Sequence, residues 1–326
     1  ALGARQREGR GELELLRAFE KRRQAADLGR HLGHAFLFSS QLGPSQPRRA
    51  EDAPAELAAA LRGSFGLDCC ERLGMSDPDA LRRRFEGCVS GAGRLLWSGV
   101  FGGARAARPR AAARRGPAAL PTRLELCAGS GEWAVAQARA EVGVANWVAV
   151  EIMRDRVFDI FTQMVFHCVP NLCVVGGDAS DLLTRRVESC SVADVFINFP
   201  EPPHVTGCED AESSLHLLTG GFLREVHRVL VPDGRLVILS DNWRYCRTLA
   251  ADLAGLRGER SAARLFRSLQ GGDQLGEFED VEGVALHHGV PGPEHGHAAQ
   301  VPSRFDSRWQ GDARTERFFL ALARAR

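Results

Sequence analysis

The chain has 326 residues, 44% hydrophobic and 25% charged, with a formal net charge of +1. That balance is typical of a globular protein, and the length allows one large domain or two smaller ones. No apolar run approaches the roughly 20 residues of a membrane-spanning helix, so we expect no membrane association. The nine cysteines form no CxxC pair, which favours reduced thiols in an intracellular protein. Cytoplasm or nucleus is the expected compartment, with an organelle as the remaining alternative.

The charge is unevenly distributed along the chain. Through residue 123 there are 22 basic and 13 acidic residues, and after it 20 and 28. A basic half joined to an acidic half suggests a polyanionic partner near the basic one. Residues 102–121 predict an arginine-rich linker containing Arg105, Arg108, Arg110, Arg114 and Arg115. It is either a solvated basic linker or an arm that contacts nucleic-acid phosphates.

Residues 1–101 predict a helical N-terminal extension. In "ELELLRAFEKRRQAADLGRHLGHAFL", Leu13, Leu16 and Phe19 recur at helical spacing. Two shorter helices follow, in "PAELAAALRGSF" and "DALRRRFEGCV". The predicted organisation is therefore a helical extension over 1–101, a linker over 102–121 and a second domain over 122–326.

From residue 122 apolar strands alternate with helices. The predicted strands are "TRLELCA", "NWVAVEI", "NLCVVGGDA", "VADVFINF" and "GRLVILSDN". This alternation predicts an α/β fold, with a doubly wound, mostly parallel, Rossmann-like sheet covered by helices on both faces. A helix over "HLLTGGFLREVHRVLVPDG" is expected to end at Pro232-Asp233-Gly234. Two later runs, "VEGVALHH" and "RTERFFLALARAR", could pair as an antiparallel edge.

Two further stretches are ambiguous. The segment "HHGVPGPEHGH" contains His287, His288, His295 and His297 between glycines and prolines. Because zinc needs a defined tetrahedral ligand set, we expect a flexible insertion there and no metal site. Asp241 and Asn242, after the fifth strand, either line a pocket or cap the following helix.

In open α/β sheets ligands bind beyond the carboxyl ends of the strands. The first strand is followed by Gly129 and Gly131, which let backbone approach a ligand at a helix N-terminus. The second ends on Glu151, placed to bind ribose hydroxyls. The third is followed by Asp178 and Ala179, where a carboxylate or backbone group could meet an adenine amine. Together these features predict an adenosine-containing ligand.

Two adenosine cofactors fit this pattern. A dinucleotide requires G-x-G-x-x-G, and Ala134 in place of the third glycine is tolerated. Glu125, which precedes the loop, and the Gly-Asp-Ala after the third strand favour S-adenosyl-L-methionine. The fourth strand ends in "VFINFPEPPH", where three prolines hold Glu201 in a stiff turn outside the sheet.

These stretches resemble the tRNA (guanine-N7-)-methyltransferases over about residues 122–246, with a second patch near 302–308. The resemblance implies a class I S-adenosylmethionine-dependent methyltransferase fold and methyl transfer to N7 of a guanine in tRNA. The most specific element is Asn-Phe-Pro-Glu-Pro at 198–202, since the family has Asn-Phe-Pro-Asp-Pro-Trp. Eukaryotic members work with a β-propeller partner, so such a partner is implied here too.

The resemblance also assigns residues. Glu201 and Asn198 would be the catalytic-site residues. Cofactor contacts would come from Glu125, Gly129, Gly131, Glu151, Asp178, Ala179 and Asn198. The target guanine would be met by Glu201, His204, Ser303 and Asp306, the last two in a segment that resembles the family's Thr-x-Phe-Glu.

Three departures keep other functions open. Cys127 replaces a family glycine, Pro203 replaces the Trp, and the acidic "HVTGCEDAESSLH" replaces a basic run. One alternative is a methyltransferase that acts on another acceptor, which the acidic stretch favours. The other is a non-catalytic RNA-binding relative, which Cys127 and the missing basic run favour.

Overall fold

The computed structural model describes residues 36–38, 90, 92–102, 120–167, 169–203, 216–258, 263–269, 278–302 and 316–325. The strands are β1 (Phe36–Phe38), β2 (Thr122–Leu126), β3 (Asn146–Glu151), β4 (Leu172–Gly176), β5 (Val192–Asn198), β6 (Leu230–Ser240), β7 (Phe266–Ser268), β8 (Phe278–Val281), β9 (Val284–His288) and β10 (Phe318–Arg324). The helices are α1 (Trp97–Gly102), α2 (Glu132–Ala140), α3 (Arg154–Phe166), α4 (Ala179–Arg186), α5 (Gly220–Val229) and α6 (Trp243–Gly255).

The strands form one sheet in the order β1-β4-β3-β2-β5-β6-β10-β9-β8, with β7 also paired to β10. Pairing is parallel from β1 through β6 and antiparallel around β10. This arrangement confirms the predicted doubly wound, mostly parallel fold of the class I methyltransferases. The expected antiparallel edge is confirmed as well, because β10 lies between β6 and β9.

The strands are buried on both faces because helices cover each side. On one face Leu182 of α4, Val226 of α5 and Leu249 of α6 belong to the same buried cluster as Leu124 and Ile197 of the sheet. On the other face the rings of Trp133, Trp147 and Phe196 pack together, with centroids 5.2 to 5.5 Å apart. Side chains alternate between the faces of a strand. Glu125, which pairs with Phe196, therefore lies on the aromatic face.

Two predicted helix boundaries were wrong. The first predicted helix ends at Leu37, but Phe36–Phe38 is a strand that extends the sheet beside β4. The helix predicted to reach Pro232-Asp233-Gly234 spans only Gly220–Val229. Thr219 caps its start, and the backbone is already extended at Leu230. Pro232 disfavours helical backbone at Val231, the residue before it. The helix therefore stops at Val229, and β6 begins at Leu230.

The prediction of a flexible histidine insertion was also wrong. His287, His295 and His297 are only 3%, 2% and 4% exposed. The His297 ring lies 4.8 Å from the Trp133 ring, and the His287 ring stacks on Phe319 at 4.7 Å. Gln137 of α2 fastens the segment further by exchanging two hydrogen bonds with the backbone of Ala299. The glycines and prolines of this segment suggested a loop, but aromatic rings distant in sequence bury its histidines.

Within the described ranges, no group of three or more His, Cys, Asp or Glu could hold a metal ion. No helix in the same part of the chain is long and apolar enough to cross a membrane.

The buried histidine predicts an acid-sensitive fold. Burial, followed by the neighbouring His295 and Arg235, lowers the pKa of His297 to about 3. The unfolded chain has an ordinary pKa of about 6.5 and so binds a proton that the folded state excludes. The contribution of His297 to stability is therefore complete above that value and is lost as pH falls. From about pH 7 to pH 5, His297 should cost about 2 kcal/mol of unfolding free energy.

Denaturant unfolding of wild type and His297→Phe at these two pH values measures that contribution. The Phe variant should lose less stability on acidification, because its ring cannot bind a proton. His288→Phe, at an exposed position on β9, is the matched control. An identical pH dependence in wild type and His297→Phe would contradict a buried neutral imidazole.

Candidate active site

The candidate site lies at the carboxyl edge of the parallel strands, where four loops meet. Residues 127–131 follow β2, Glu151 ends β3, residues 177–178 follow β4 and residues 199–203 follow β5, which ends at Asn198. Parallel pairing of β4, β3, β2 and β5 directs all four ends to the same edge of the sheet. The sequence-predicted site residues are therefore grouped by the topology itself.

The loop after β2 has left-handed backbone at three positions: φ is 60° at Cys127, 59° at Gly129 and 84° at Gly131. A Cβ added at Gly131 would lie 2.5 Å from Cγ1 of Ile160, so glycine is required for α2 to pack against α3. A Cβ added at Gly129 would meet no atom within 4 Å. Gly129 thus exposes bare backbone to open space, which fits a loop that a ligand approaches closely.

Glu151 holds this loop against the end of β3. Its Oε2 accepts a hydrogen bond from the N–H of Gly129 at 2.8 Å. Its Oε1 accepts from the N–H groups of Ile152 and Met153, each at 2.9 Å. A carboxylate offers about four acceptor positions, so these three donors leave room for a hydroxyl. The side chain is 3% exposed, and its positioning role was not anticipated from the sequence.

Asp178 and Ala179 begin α4 at the end of β4. Asp178 is the N-cap, and its Oδ1 accepts from the N–H of Asp181 at 2.8 Å. Ala179, the first helical residue, is buried. One Asp178 oxygen is therefore engaged in capping. Asn242 was expected either to line a pocket or to cap the following helix. It caps α6, because its Oδ1 accepts a hydrogen bond from the N–H of Tyr245.

Glu125 and Asn198 form a buried pair between β2 and β5. Asn198 Nδ2 donates to Glu125 Oε1 at 2.9 Å, and the two residues are 8% and 2% exposed. Burial raises the pKa of Glu125 to about 8, opposed by the Asn198 bond and assisted by Glu132 and Glu151. Within the described residues, Asn198 Oδ1 and Glu125 Oε2 have no hydrogen-bond partner. Two buried polar atoms without partners, which become two acceptors when Glu125 is ionised, favour a cationic or hydrogen-bond-donating ligand.

The proline turn leaves β5 with strained backbone. Phe199 has φ of 51°, which is unfavourable for a bulky residue, and such outliers concentrate at functional sites. Its N–H donates to the carbonyl of Leu239 on β6 at 2.7 Å, and its ring lies 5.5 Å from the Arg317 guanidinium. Phe199 thus anchors the turn to β6. Two residues later, Glu201 is exposed.

Cys127 shows that the predicted carboxylates share one site. Its side chain retains accessible surface, yet its pKa rises to about 12. Burial among surrounding protein atoms is the main cause of this rise. Four nearby carboxylates also contribute: Glu151, Asp178, Glu125 and Glu201. All four are therefore within electrostatic range of a single thiol. The sequence analysis grouped them by strand order, and the structure brings them together.

Other predicted residues lie outside the described ranges: His204, Ser303, Asp306 and the arginines of the linker over 102–121. The sequence analysis missed two residues that the structure adds. His216 Nε2 is 2.5 Å from the hydroxyl of Tyr245. Burial lowers the pKa of His216, opposed by Asp252 and by the backbone of Glu201. Tyr245 is the only tyrosine in the chain, but its helical spacing was indistinguishable from that of an ordinary core residue.

One family model of known proteins matches part of the chain. Residues 119–260 match the model of a family described as "Putative methyltransferase". The chain is therefore similar to methyltransferases over the region that contains the candidate site.

The resemblance to the tRNA (guanine-N7-)-methyltransferases is confirmed over the same region. The chain is 35% identical over 125 residues to the tRNA (guanine-N(7)-)-methyltransferase of Chlamydia muridarum, covering 38% of this chain and 54% of the relative. It is 26% identical over 179 residues to that of Hydrogenovibrio crunogenus, covering 52% and 69%. The chain thus spans about half the length of the chlamydial relative.

Solved structures are more distant. An rRNA methylase from Streptococcus thermophilus matches with a TM-score of 0.38 and 12% identity, over 64% of this chain and 88% of that one. A SAM-dependent methyltransferase from Aquifex aeolicus matches with a TM-score of 0.36 and 13% identity, over 63% and 82%. Because both scores are low, the fold assignment rests on the strand order.

The left-handed backbone at Cys127 predicts a stabilising substitution. A residue with a Cβ pays about 1–2 kcal/mol in this conformation, partly offset by the greater unfolded-state entropy of glycine. We expect Cys127→Gly to raise the free energy of unfolding by up to about 1 kcal/mol. It should also strengthen cofactor binding by removing the side chain from the site.

Denaturant unfolding and calorimetric titration with S-adenosylmethionine measure the two effects. Glu282→Gly is the matched control, since Glu282 has φ of 52° in the turn between β8 and β9, outside the site. It should gain stability without altering cofactor affinity. Unchanged stability in Cys127→Gly, alongside a gain in the control, would show that Cys127 is unstrained.

Proposed function

We propose that this protein transfers a methyl group from S-adenosylmethionine to N7 of a guanine in tRNA. The observation that carries the proposal is the convergence of the glycine loop, the Glu125–Asn198 pair and Glu201 around Cys127. The confirmed resemblance to tRNA (guanine-N7-)-methyltransferases supports the reaction and the substrate.

The residues present fit the cofactor, which supplies an electrophilic methyl group on a sulfonium. Bare backbone at Gly129 provides close approach, and Glu151 has acceptor capacity for ribose hydroxyls. The unpartnered Asn198 Oδ1 and Glu125 Oε2 suit the positively charged amino-acid end. Asp178 and Ala179 would face the adenine from the start of α4.

The chain's own part in the reaction is mainly positioning. Guanine N7 carries a free lone pair and needs no strong base, so holding the two reactants in line could supply up to about 7–11 kcal/mol. The purine gains positive charge as N7 is methylated, and a carboxylate next to it stabilises that charge. Glu201 suits this role because it is exposed, charged and held between two prolines. His204, Ser303 and Asp306 would complete the guanine site. The proposal also includes a β-propeller partner and an intracellular location.

A methyltransferase with another acceptor is the second candidate. The observation that favours it is the acidic stretch after Pro203, which contains Glu209, Asp210 and Glu212 where the family has basic residues. Acidic side chains repel phosphates, so tRNA would need basic residues elsewhere, such as the arginines of the linker over 102–121.

Cofactor binding should depend on pH through Glu125. A cation bound beside Glu125 requires the carboxylate, whereas the free site has a pKa of about 8. We therefore expect the affinity for S-adenosylmethionine to rise as pH increases from about 6 to 7.5, by up to about tenfold per pH unit. Glu125→Gln should flatten this dependence. Titration calorimetry on both proteins measures it, and a flat wild-type profile would count against a cationic contact at Glu125.

Glu125 also affects the stability of the fold, which should fall as pH rises, whereas cofactor affinity should increase. Because the pKa of Glu125 is raised above the unfolded value of 4.5, the folded state holds a proton that the unfolded chain releases. Stability without cofactor therefore falls as pH rises from about 4.5 to 8. Unfolding measurements on Glu125→Gln separate this effect from cofactor binding.

Labelled methyl transfer to tRNA that lacks N7-methylguanine tests the function directly. Wild type should label the tRNA, and Glu201→Ala should reduce kcat by at least about a hundredfold, as removal of a transition-state charge partner does. Glu279→Ala is the matched control, because Glu279 lies on β8 and its carboxylate accepts a hydrogen bond from Arg247 of α6, outside the site. Cofactor binding without labelled tRNA would favour the other acceptor. No cofactor binding would favour the non-catalytic relative.

A further inference from the structure

Phe199 is the joint between β5 and the proline turn. Its φ of 51° is unfavourable for a bulky residue, and a residue before a proline normally has extended backbone with negative φ. Pro200, Pro202 and Pro203 each have a ring that locks φ at about −65°. Because most φ angles of the turn are locked in this way, the backbone of Phe199 largely sets the direction in which Glu201 leaves the sheet.

Contacts of three kinds hold Phe199 in this conformation. Its N–H donates to the carbonyl of Leu239 on β6 at 2.7 Å. Its half-buried side chain packs against the buried cluster of Leu239, Phe319 and Ala321. The guanidinium of Arg317 lies 5.5 Å from the centre of the Phe199 ring, within the range of a cation–π interaction. The strained backbone is therefore stabilised by β6, by β10 and by one charged side chain.

Arg317 is itself held in place by the antiparallel edge of the sheet. Its carbonyl accepts a hydrogen bond from the N–H of Gly289 at 2.8 Å. The next residue, Phe318, pairs with Ser240 of β6 and with His288 of β9. β6 lies between β10 and β5, the strand that leads into the proline turn. The cation–π contact thus connects the antiparallel edge to the candidate site.

We propose that Arg317 is a positioning residue, which holds the Phe199 ring and thereby directs the Glu201 carboxylate toward the acceptor base. This role rests on the proposed function of Glu201, whereas the contacts of Phe199 do not. Without the cation, Phe199 relaxes more readily toward negative φ. The proline turn then rotates as one unit and carries its carboxylate out of the productive direction.

Steady-state methyl transfer to tRNA by Arg317→Ala and Arg317→Lys tests this role. We expect kcat to fall about fivefold in Arg317→Ala, because fewer molecules hold Glu201 in the productive direction. Arg317→Lys keeps a cation near the ring, so its kcat should stay within about twofold of wild type. The KM for tRNA should change less than about twofold in both variants, because the lost contact acts on the turn and not on a phosphate.

Arg267→Ala is the matched arginine control. Arg267 is exposed on β7, where it pairs with Ala323 at the far end of β10. Its removal should leave kcat at the wild-type value, since it lies at the opposite edge of the sheet from the proline turn.

A double-mutant cycle determines whether Arg317 acts through the ring. Phe199→Leu keeps an apolar side chain and removes the aromatic face, so it should lower kcat by a similar factor of about fivefold. Adding Arg317→Ala to Phe199→Leu should reduce kcat by less than about a further twofold, because the contact is already lost. Thermal unfolding of each variant separates positioning from stability.

Three results would overturn the positioning role. Additive losses in the cycle would mean that Arg317 acts on another group. A raised KM for tRNA with unchanged kcat would identify a phosphate contact instead. Lower stability with unchanged kcat would show that the contact only stabilises the fold.

A second measurement separates failure of this proposal from failure of the proposed function. If wild type methylates no tRNA, the function fails, and amide NMR then decides the positioning role alone. The N–H resonance of Glu201 should move in Arg317→Ala and in Phe199→Leu, and should stay in place in Arg267→Ala. An unchanged Glu201 resonance in Arg317→Ala would overturn the proposal even if the enzyme is active.

Discussion

Parallel pairing of β4, β3, β2 and β5 is the constraint on which the site depends. Each of these strands runs in the same direction, so each chain segment leaves the sheet at the same edge. The strands are nearly fully buried and cannot shift register without exposing apolar side chains. As a result, Glu125 and Asn198 meet although 73 residues separate them.

The loops at this edge store strain that the sheet sustains. Cys127 and Phe199 both have left-handed backbone without being glycine. Cys127 lies two residues before Gly129, and Phe199 directly follows Asn198. The N–H of Phe199 donates to Leu239 of β6, and the N–H of Ala128, next to Cys127, donates to Val150 of β3. Polar side chains perform the same task in the other loops. Glu151 binds three backbone N–H groups, so a residue predicted to contact ligand also determines the shape of the loop.

On the aromatic face of the sheet, polar side chains pack among the rings. His297 is enclosed by Trp133 and Phe196, and Arg235 forms a close ion pair with Asp194 on β5. The segment over 289–302 therefore packs on the sheet and on α2, the helix that follows the glycine loop. Its rigidity helps to fix α2, whose N-terminus borders the candidate site.

The sequence by itself determined the fold class, the antiparallel edge and the order of the site residues along the strand ends. It could do so because buried strands are continuous apolar runs, and because glycines and carboxylates directly after them are local signals. Only the tertiary structure decided the strand at Phe36–Phe38, the end of α5 at Val229, the burial of His297 and the contact of Tyr245 with His216. Each of these depends on partners far away in the chain. Hydrophobic periodicity describes neighbours within a few residues and carries no information about such contacts.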